Sequence, residues 1–390
     1  MLGNFFEYFL ETGSNGGRLA VLGATSGDTG SAAIAGLRGK KGVDCIILFP
    51  NGRVSAIQER QMTTVPDDNI HCVAIEGTFD DCQDLVKASF NTPEFRNKVH
   101  LGAVNSINWC RVLAQTTYYF WSYLRITDKN KGLQEVHFSV PTGNFGDILA
   151  GYYAKLMGLP VGKLIIATNE NDILHRFFTK GEYHRESIAE SISPSMDICV
   201  SSNFERYLFH LAGNDPAKLA TWMSDFELTH KLTLTGDTLR KAQQDFDSAR
   251  ADTKMTLQTI SEYNDKYDYV MCPHTAVGVN AIHQLSLVSE ATVCLATAHA
   301  GKFPAAVSRA IKPLPSPPPE LAALETKPTR RTELPHDLKV VQDFVEDCVF
   351  RKNKSILDKW DRTTRNLVTV AAVVAIVAAA GQLISAARRK

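Results

Sequence analysis

The chain has 390 residues, of which 44% are hydrophobic and 22% are charged, so it can bury large cores in about two globular domains. Its 42 lysine and arginine residues balance 42 aspartate and glutamate residues, and no basic stripe alternates with aromatic residues, so nucleic acid is not a favoured partner. The eight cysteines form no C-x-x-C pair and the eleven histidines form no H-E-x-x-H motif, so we assign no metal site.

The first part of the chain predicts a helix followed by a strand, a Gly-rich loop and a second helix. An apolar stripe at helical spacing covers residues 2–10, with no signal-peptide pattern before it. Residues 18–22 predict a buried strand, residues 23–30 a polar Gly-rich loop, and residues 31–37 a helix of small side chains. This order is typical of an α/β unit that places a loop at the carboxyl end of a strand.

The loop at residues 23–30 is a candidate ligand site. Ser26, Asp28 and Thr29 supply two hydroxyl groups and a carboxylate beside the unpaired N–H groups of a new helix. The alternative is that the residues from Thr25 to Asp28 only cap this helix.

Strands and helices continue to alternate after this unit. Further strands are predicted at residues 44–49 and 71–75, and helices are predicted at residues 58–62, 82–90 and 110–124. The alternation predicts an α/β fold with mostly parallel, doubly wound sheets.

A second polar cluster precedes the helix at residues 110–124. Asn105, Ser106, Asn108 and Arg111 can line a pocket, in which the guanidinium group of Arg111 could bind a phosphate through two hydrogen bonds. The alternative is that the Asn and Ser side chains only satisfy backbone groups of the loop.

The strongest local motif is a strand, a Gly-rich turn and a helix within residues 136–156. Apolar side chains alternate along residues 136–140, Pro141 ends the strand, and helical spacing resumes near Asp147. The backbone N–H groups of residues 143–146 would then lie at a helix N-terminus, where they favour an anion such as a phosphate. The alternative is an ordinary turn in which Asp147 caps the helix.

The second half of the chain repeats the pattern of a strand followed by a loop. Strands are predicted at residues 163–168, at the start of residues 269–278 and at the start of residues 291–299. Thr297 and His299 follow the last of these strands, at the sheet edge where open α/β sheets bind ligands. A structural role is the alternative for His299.

The composition changes towards the C-terminus. Residues 314–320 predict a Pro-rich extended connector, residues 338–349 an amphipathic helix and residues 353–366 a polar linker. Residues 367–387 carry no charge and have a length that suits one membrane span. Their many alanines contribute little hydrophobicity, and Gly381, Gln382 and Ser385 dilute it further, so a packing or interfacial helix is the alternative. We expect a protein of the cytoplasm or of the cytoplasmic face of a membrane, with residues 367–387 as the candidate anchor.

Eight segments in order resemble one enzyme family. They are ATSGDTG at 24–30, LRGKK at 37–41, QMTTVP at 61–66, GAVNSINW at 102–109, PTGNFGDI at 141–148, ATNENDI at 167–173, PHTAVG at 273–278 and TAH at 297–299. Together they resemble threonine synthase of the fungal and bacterial long type, over residues 2–352 approximately. The resemblance implies a fold-type II enzyme, similar to the tryptophan synthase β subunit, that uses pyridoxal 5′-phosphate to convert O-phospho-L-homoserine and water to L-threonine and phosphate.

The resemblance also implies roles for the residues of these segments. The loop that holds the cofactor phosphate in the family corresponds to Gly143, Asn144, Phe145, Gly146 and Asp147. The residue that faces the pyridine nitrogen corresponds to Thr297. Residues that engage the amino-acid carboxylate and the cofactor correspond to Ser26, Asp28 and Thr29, and contributors to the substrate-phosphate pocket correspond to Asn105, Ser106 and Arg111.

The family's Schiff-base lysine has no counterpart in this sequence. In the family it belongs to a His-Gly-Pro-Thr-x-Ala-Phe-Lys-Asp segment just upstream of what is here residues 1–8, whereas Lys40, Lys41 and Lys302 match other family positions. We therefore expect residues 1–352 to form a catalytic region without the family's N-terminal part, and we assign no catalytic residue. The alternatives are an inactive protein that binds pyridoxal phosphate or a phosphorylated amino acid, and a membrane-tethered interaction protein that keeps only the fold.

Overall fold

The computed structural model describes residues 1–13, 17–129, 135–288 and 290–350. The predicted linker at 353–366 and the predicted apolar helix at 367–387 lie outside these residues. Within the described ranges, no helix is both long enough and apolar enough to cross a membrane.

Helices and strands alternate over most of the described chain. The helices are α1 (Leu2–Thr12), α2 (Asp28–Leu37), α3 (Ala56–Thr63), α4 (Phe79–Phe90), α5 (Pro93–Lys98), α6 (Trp109–Lys129), α7 (Gly146–Leu156), α8 (Ile173–Lys180), α9 (Phe204–Leu211), α10 (Pro216–Thr229), α11 (Gly236–Asp245), α12 (Thr253–Tyr267), α13 (Pro273–Gln284), α14 (Pro304–Val307), α15 (Pro319–Ala322) and α16 (338–350). The strands are β1 (Leu19–Ala24), β2 (Val43–Pro50), β3 (Ile70–Ile75), β4 (Leu101–Gly102), β5 (Val136–Pro141), β6 (Val161–Thr168), β7 (Glu182–His184), β8 (Lys231–Thr233), β9 (Phe246–Arg250), β10 (Thr292–Cys294) and β11 (Thr332–Leu334). Short 3₁₀ turns cover Pro194–Met196 and Ala300–Lys302.

The first sheet has the strand order β11-β3-β2-β1-β4, and each pair of neighbouring strands is parallel. Helices cover both of its faces, so every residue of the central strand β2 is buried, and the strand is apolar except for Asp44, which pairs with Arg18 at 2.8 Å. Cys45, Ile47 and Phe49 pack against α1, α2 and α3, while Ile46 and Leu48 pack against α4, α5 and α16.

The second sheet has the order β10-β5-β6-β9 and is also parallel throughout. Val140 and Ile166 face a large core that includes side chains from α6 to α11. Ile165 and Ala167 face the opposite way, towards α12 and α13. A separate antiparallel pair joins β7 to β8. Two parallel sheets with helices on both faces confirm the predicted α/β class.

One strand prediction is wrong and one is too long. Residues 269–272 form no strand, because Pro273 is the first residue of α13 and the Cys272 sulfur accepts a hydrogen bond from the Thr275 N–H at 3.4 Å. Proline suits the first turn of a helix, because the N–H group that it lacks would have no partner within the helix there. The apolar residues 269–272 therefore precede a helix instead of forming a strand. The strand predicted within residues 291–299 is limited to Thr292–Cys294.

Candidate functional site

The turn between β5 and α7 has the backbone shape that the sequence predicts. β5 ends at Pro141 and α7 begins at Gly146, after Phe145 in the left-handed conformation with φ of 61°. This conformation is uncommon for a residue with a large side chain. The Phe145 ring is 1% exposed and lies 5.3 Å from the Phe204 ring and 5.7 Å from the Phe246 ring, measured between ring centroids. Aromatic packing therefore fixes the turn.

In this turn, backbone carbonyl groups accept hydrogen bonds, whereas the backbone N–H groups have no partner in the described chain. The Ser201 hydroxyl donates to the Gly143 carbonyl, and the Asn203 N–H donates to the Asn144 carbonyl at 3.1 Å. In contrast, the N–H groups of residues 143–147 donate to no group of the described chain. These donors lie at the positive end of α7, which is the arrangement that binds a phosphate.

Gly143 leaves the space that such a cradle needs. A Cβ atom at this position would lie 3.0 Å from the Ile198 side chain and 3.1 Å from the Ser195 carbonyl oxygen. A larger residue would push apart the two segments that meet here. We call residues 143–147 the cup.

Asp147 contributes to the cup through its backbone rather than through its carboxylate. The Tyr119 hydroxyl donates to the Asp147 carbonyl at 2.8 Å and to its Oδ1 at 3.1 Å, and the Tyr119 side chain is fully buried. Desolvation raises the pKa of the Asp147 carboxyl to about 6, although the hydrogen bond from Tyr119 acts to lower it. Below that pH this acid is mostly neutral, and above it the carboxylate places a negative charge beside the anion site.

Asp28 connects the loop after β1 with segments of the second sheet. Its carboxylate accepts hydrogen bonds from Lys302 Nζ at 2.9 Å, Gln58 Nε2 at 3.2 Å and Ser195 Oγ at 3.0 Å. Burial acts to raise the pKa of Asp28, but these donors, Lys302 foremost, hold it below its ordinary value. Because the Ser195 carbonyl also packs against Gly143, Asp28 lies near the cup.

Ser106 lies beside the cup as well. Its hydroxyl is 3.0 Å from the Ser202 hydroxyl, which in turn donates to Asn144 Oδ1 at 3.0 Å. The Asn203 amide donates to the carbonyls of Ser106 and Asn144, at 3.0 and 2.9 Å. The predicted substrate loop and the predicted cofactor loop are therefore held together.

Arg111 and Thr29 share a cavity of about 330 Å³ between α1, α2 and α6. Arg111 Nη1 is buried and has no hydrogen-bond partner among the described residues. Desolvation lowers the pKa of its guanidinium group. A buried cation without a partner favours an anionic ligand in this cavity.

Three more of the predicted site residues, like Thr29 and Arg111, make no side-chain hydrogen bond within the described ranges. Ser26, Asn105 and Thr297 are exposed. Thr297 follows β10, whose Cys294 pairs with Ser139 of β5, so Thr297 lies at the same sheet edge as the cup. No group of three His, Cys, Asp or Glu side chains in the described part of the chain could hold a metal ion.

Sequence reasoning missed the residues that connect these loops. Lys302 and Ser195 contact Asp28, and the run from Ser201 to Asn203 contacts the cup. The signal was a Ser-Ser-Asn cluster before a helix, which is the pattern used to select Asn105 and Ser106. His274 was also missed: it is 3% exposed, neither ring nitrogen has a partner among the described residues, and desolvation lowers its pKa to about 4.

The chain has parallel, doubly wound sheets and an anion cup after a central strand. These features are those of the fold-type II enzymes that depend on pyridoxal phosphate. The family model described as "Pyridoxal-phosphate dependent enzyme" matches residues 4–298, and the one described as "Threonine synthase, C-terminal" matches residues 275–345.

Individual relatives identify the family more narrowly. The chain is 51% identical over 342 residues to threonine synthase of Schizosaccharomyces pombe, covering 80% of this chain and 66% of that protein. It is 47% identical over 347 residues to threonine synthase of Pseudomonas aeruginosa, covering 88% of this chain and 73% of that protein. The crystal structure of pyridoxal-phosphate-bound threonine synthase from Brucella melitensis matches with a TM-score of 0.85 and 43% identity, over 89% of this chain and 74% of that one. The yeast threonine synthase crystal structure matches with a TM-score of 0.84 and 43% identity, over 90% and 74%. The chain belongs to the threonine synthase family.

Pyridoxal phosphate is accordingly the cofactor of this family, as the sequence predicts. The chain spans about two thirds of the length of the first curated relatives, with 66% of the Schizosaccharomyces pombe protein and 65% of the Saccharomyces cerevisiae protein.

Proposed function

We propose that this chain supports the threonine synthase reaction, in which O-phospho-L-homoserine and water give L-threonine and phosphate. The cup is the observation that carries the proposal. Its N–H groups have no partner in the described chain, and they lie at the N-terminus of α7 on the turn that matches the family motif. The substrate and the cofactor each carry a phosphate, and family membership favours the cofactor phosphate in this position.

The cup fits a phosphate in both shape and charge. Glycine at 143 leaves room at a point where a Cβ would contact Ile198 and Ser195. We assign the cofactor phosphate to the backbone of Gly143, Asn144 and the three residues after them, Phe145, Gly146 and Asp147. When bound, pyridoxal phosphate supplies an electron-withdrawing ring that stabilises negative charge at the substrate α-carbon.

Thr297 is proposed to face the ring nitrogen. A hydroxyl group can exchange a hydrogen bond with that nitrogen, but it cannot balance a positive charge on it as a carboxylate would. The exposed position of Thr297 after β10, at the edge of the sheet that also bears the cup, agrees with this role.

The substrate is proposed to lie between the loops of the two sheets. Arg111 can donate two parallel hydrogen bonds to a phosphate, and its buried Nη1 has no competing partner among the described residues. Asn105 and Ser106 are assigned to the same phosphate, and Ser26 and Thr29 to the amino-acid carboxylate. Asp28 binds Lys302 at 2.9 Å, which offsets its negative charge next to an anionic substrate.

None of the 390 residues is assigned the proton transfers of the reaction. The resemblance assigns these transfers to a lysine segment that these 390 residues do not contain, so they are left outside the proposal. Binding of the cofactor or of a phosphorylated amino acid without turnover is the second candidate function, because the N–H groups of the cup, which have no partner in the described chain, favour an anion whether or not turnover follows.

We also propose residues 1–352 as the catalytic region and residues 353–366 as a linker. A membrane span or a packing helix at residues 367–387 stays a prediction, as does location in the cytoplasm.

Phosphate release tests the proposed function. Purified chain with pyridoxal phosphate and O-phosphohomoserine should release phosphate and form threonine above a blank of cofactor alone. Replacing Arg111 with methionine should lower the rate by about tenfold or more, because the change removes charged hydrogen bonds to the substrate phosphate. Cofactor binding with no release above the blank would favour the second candidate. Absence of both binding and release would reject the proposal.

A further inference from the structure

The segment at residues 191–203 contacts three loops of the candidate site. Ser195 donates to Asp28 at 3.0 Å, Ser201 donates to the Gly143 carbonyl, and Asn203 donates to the Ser106 carbonyl at 3.0 Å. These contacts reach the loop after β1, the cup and the loop before α6. The segment therefore has the position of a common support for the site.

The base of this segment is fixed by a buried polar network. Asn169, which follows β6 and is 1% exposed, donates to Ser193 Oγ at 3.0 Å and to Asp197 Oδ1 at 2.7 Å. The Ser191 N–H donates to Asp197 Oδ2 at 3.0 Å. Because buried groups that are satisfied in this way resist rearrangement, the segment is anchored to the second sheet.

Asn203 is the residue at which two of the loops meet. Its side chain is fully buried, and its amide nitrogen donates to the Asn144 carbonyl at 2.9 Å and to the Ser106 carbonyl at 3.0 Å. Arg206 donates to Asn203 Oδ1. Since a guanidinium group can only donate, this contact fixes which side-chain atom of Asn203 is the oxygen and leaves the nitrogen for the two carbonyls. One amide group thus uses both of its hydrogens to join the cup to the loop at 105–111.

A second and more exposed bridge runs in parallel. The Ser202 hydroxyl lies between the Ser106 hydroxyl and Asn144 Oδ1, 3.0 Å from each. Arg206 also donates to the Ile107 carbonyl at 2.7 Å. A ligand that orders either loop therefore orders the other through direct contacts.

We propose that Asn203 is a positioning residue that couples the two phosphate sites, so that a phosphorylated pyridine in the cup increases the affinity of a phosphorylated amino acid at residues 105–111. The inference rests on the proposed function. The coupling follows because a loop that the first ligand has already ordered loses less conformational entropy when the second ligand binds. By linkage, the amino acid must increase the affinity of the pyridine by the same factor.

Isothermal titration calorimetry on the full chain can measure this coupling. Pyridoxine 5′-phosphate is the cofactor probe, because it has no aldehyde to react with the amine of O-phosphohomoserine. The affinity for O-phosphohomoserine is measured with and without saturating pyridoxine 5′-phosphate, and the ratio of the two affinities is the coupling factor. Any repulsion between the two anions acts in every variant, so the comparison between variants isolates the part that Asn203 contributes.

N203D is the decisive variant. It keeps Oδ1 for Arg206 but places an oxygen opposite the carbonyls of Asn144 and Ser106. The coupling factor should be about fivefold or more smaller than in the wild type, the low end of the usual range of allosteric coupling. N97D is the matched control, because Asn97 is exposed on α5 and the chemical change is identical. Its coupling factor should equal that of the wild type.

The outcomes separate the inference from the proposed function. The inference alone is overturned if N203D keeps the coupling factor of the wild type. It is also overturned if the wild type binds both ligands but shows no coupling between them. A wild type that binds neither ligand overturns the proposed function and the inference with it. If circular dichroism shows that N203D does not fold, Asn203→Ala decides, because it removes both amide hydrogen bonds to the Asn144 and Ser106 carbonyls and adds no charge. A reduced coupling factor in that variant supports the inference, and an unchanged one overturns it.

Discussion

Replacing Asp147 with asparagine should stabilise the protein at neutral pH. Asparagine has nearly the same shape and keeps an Oδ1 that can accept the Tyr119 hydroxyl hydrogen bond, which is 3.1 Å long in the wild type. It carries no charge at any pH. The substitution therefore removes the cost of holding a carboxylate in a desolvated position at the start of α7.

The size of the effect follows from the pKa of Asp147, which desolvation raises from 3.8 to about 6. A raised pKa means that the folded protein holds this proton more tightly than the unfolded chain. The associated stability is complete below the unfolded pKa and is lost as the pH rises through the folded pKa. A shift of about two units corresponds to about 3 kcal/mol, so D147N should be up to about 3 kcal/mol more stable than the wild type at pH 7.5.

Urea unfolding of both proteins between pH 4 and pH 8 measures this difference. The gain in the free energy of unfolding should be largest above pH 6 and should approach zero near pH 4. D84N is a suitable control, because Asp84 is 67% exposed on α4 and its change should produce no comparable trend. A D147N difference that is independent of pH, or a variant that is less stable at pH 7.5, would refute the reasoning.

Two further substitutions test the cup and the contact between the two sheets. G143A should weaken binding of pyridoxal phosphate by about tenfold or more, because its Cβ would lie 3.0 Å from Ile198 and 3.1 Å from the Ser195 carbonyl, and equilibrium dialysis would show this loss. K302M should lower the free energy of unfolding at pH 7 by about 1 kcal/mol, since the ion pair with Asp28 is partly exposed. The pKa of Asp28 lies below its ordinary value of 3.8 in the fold, so this loss should begin to shrink below that pH and vanish below the folded pKa, and a loss that does not shrink at all in acid would argue against the ion pair as its cause.

Local patterns in the sequence predicted the strand, turn and helix at the cup. Val136 to Pro141 alternates and ends at a proline, and the glycines that follow mark the turn before α7. The apolar run at residues 269–272 led to a wrong prediction, because short apolar runs also precede helices and the capping contact of Cys272 with Thr275 decided the outcome.

The contacts across the site could not be predicted from local pattern. Lys302 reaches Asp28 across 274 positions of sequence, and Asn203 reaches Ser106 across 97. Such pairs depend on the order of strands within each sheet and on how the loops meet at the sheet edges. Residue type alone identified Asp28 and Ser106 as polar loop residues, but it could not show that each is already bound to another protein side chain.

The most direct test of the central claim is a calorimetric comparison of pyridoxal phosphate with pyridoxal, which lacks the phosphate, on the purified chain. If the free N–H groups of the cup bind the cofactor phosphate, pyridoxal phosphate should bind about 100-fold tighter or more, since two hydrogen bonds to a charged group contribute about 3 kcal/mol or more. Equal affinities for the two compounds would contradict the assignment of the phosphate to residues 143–147.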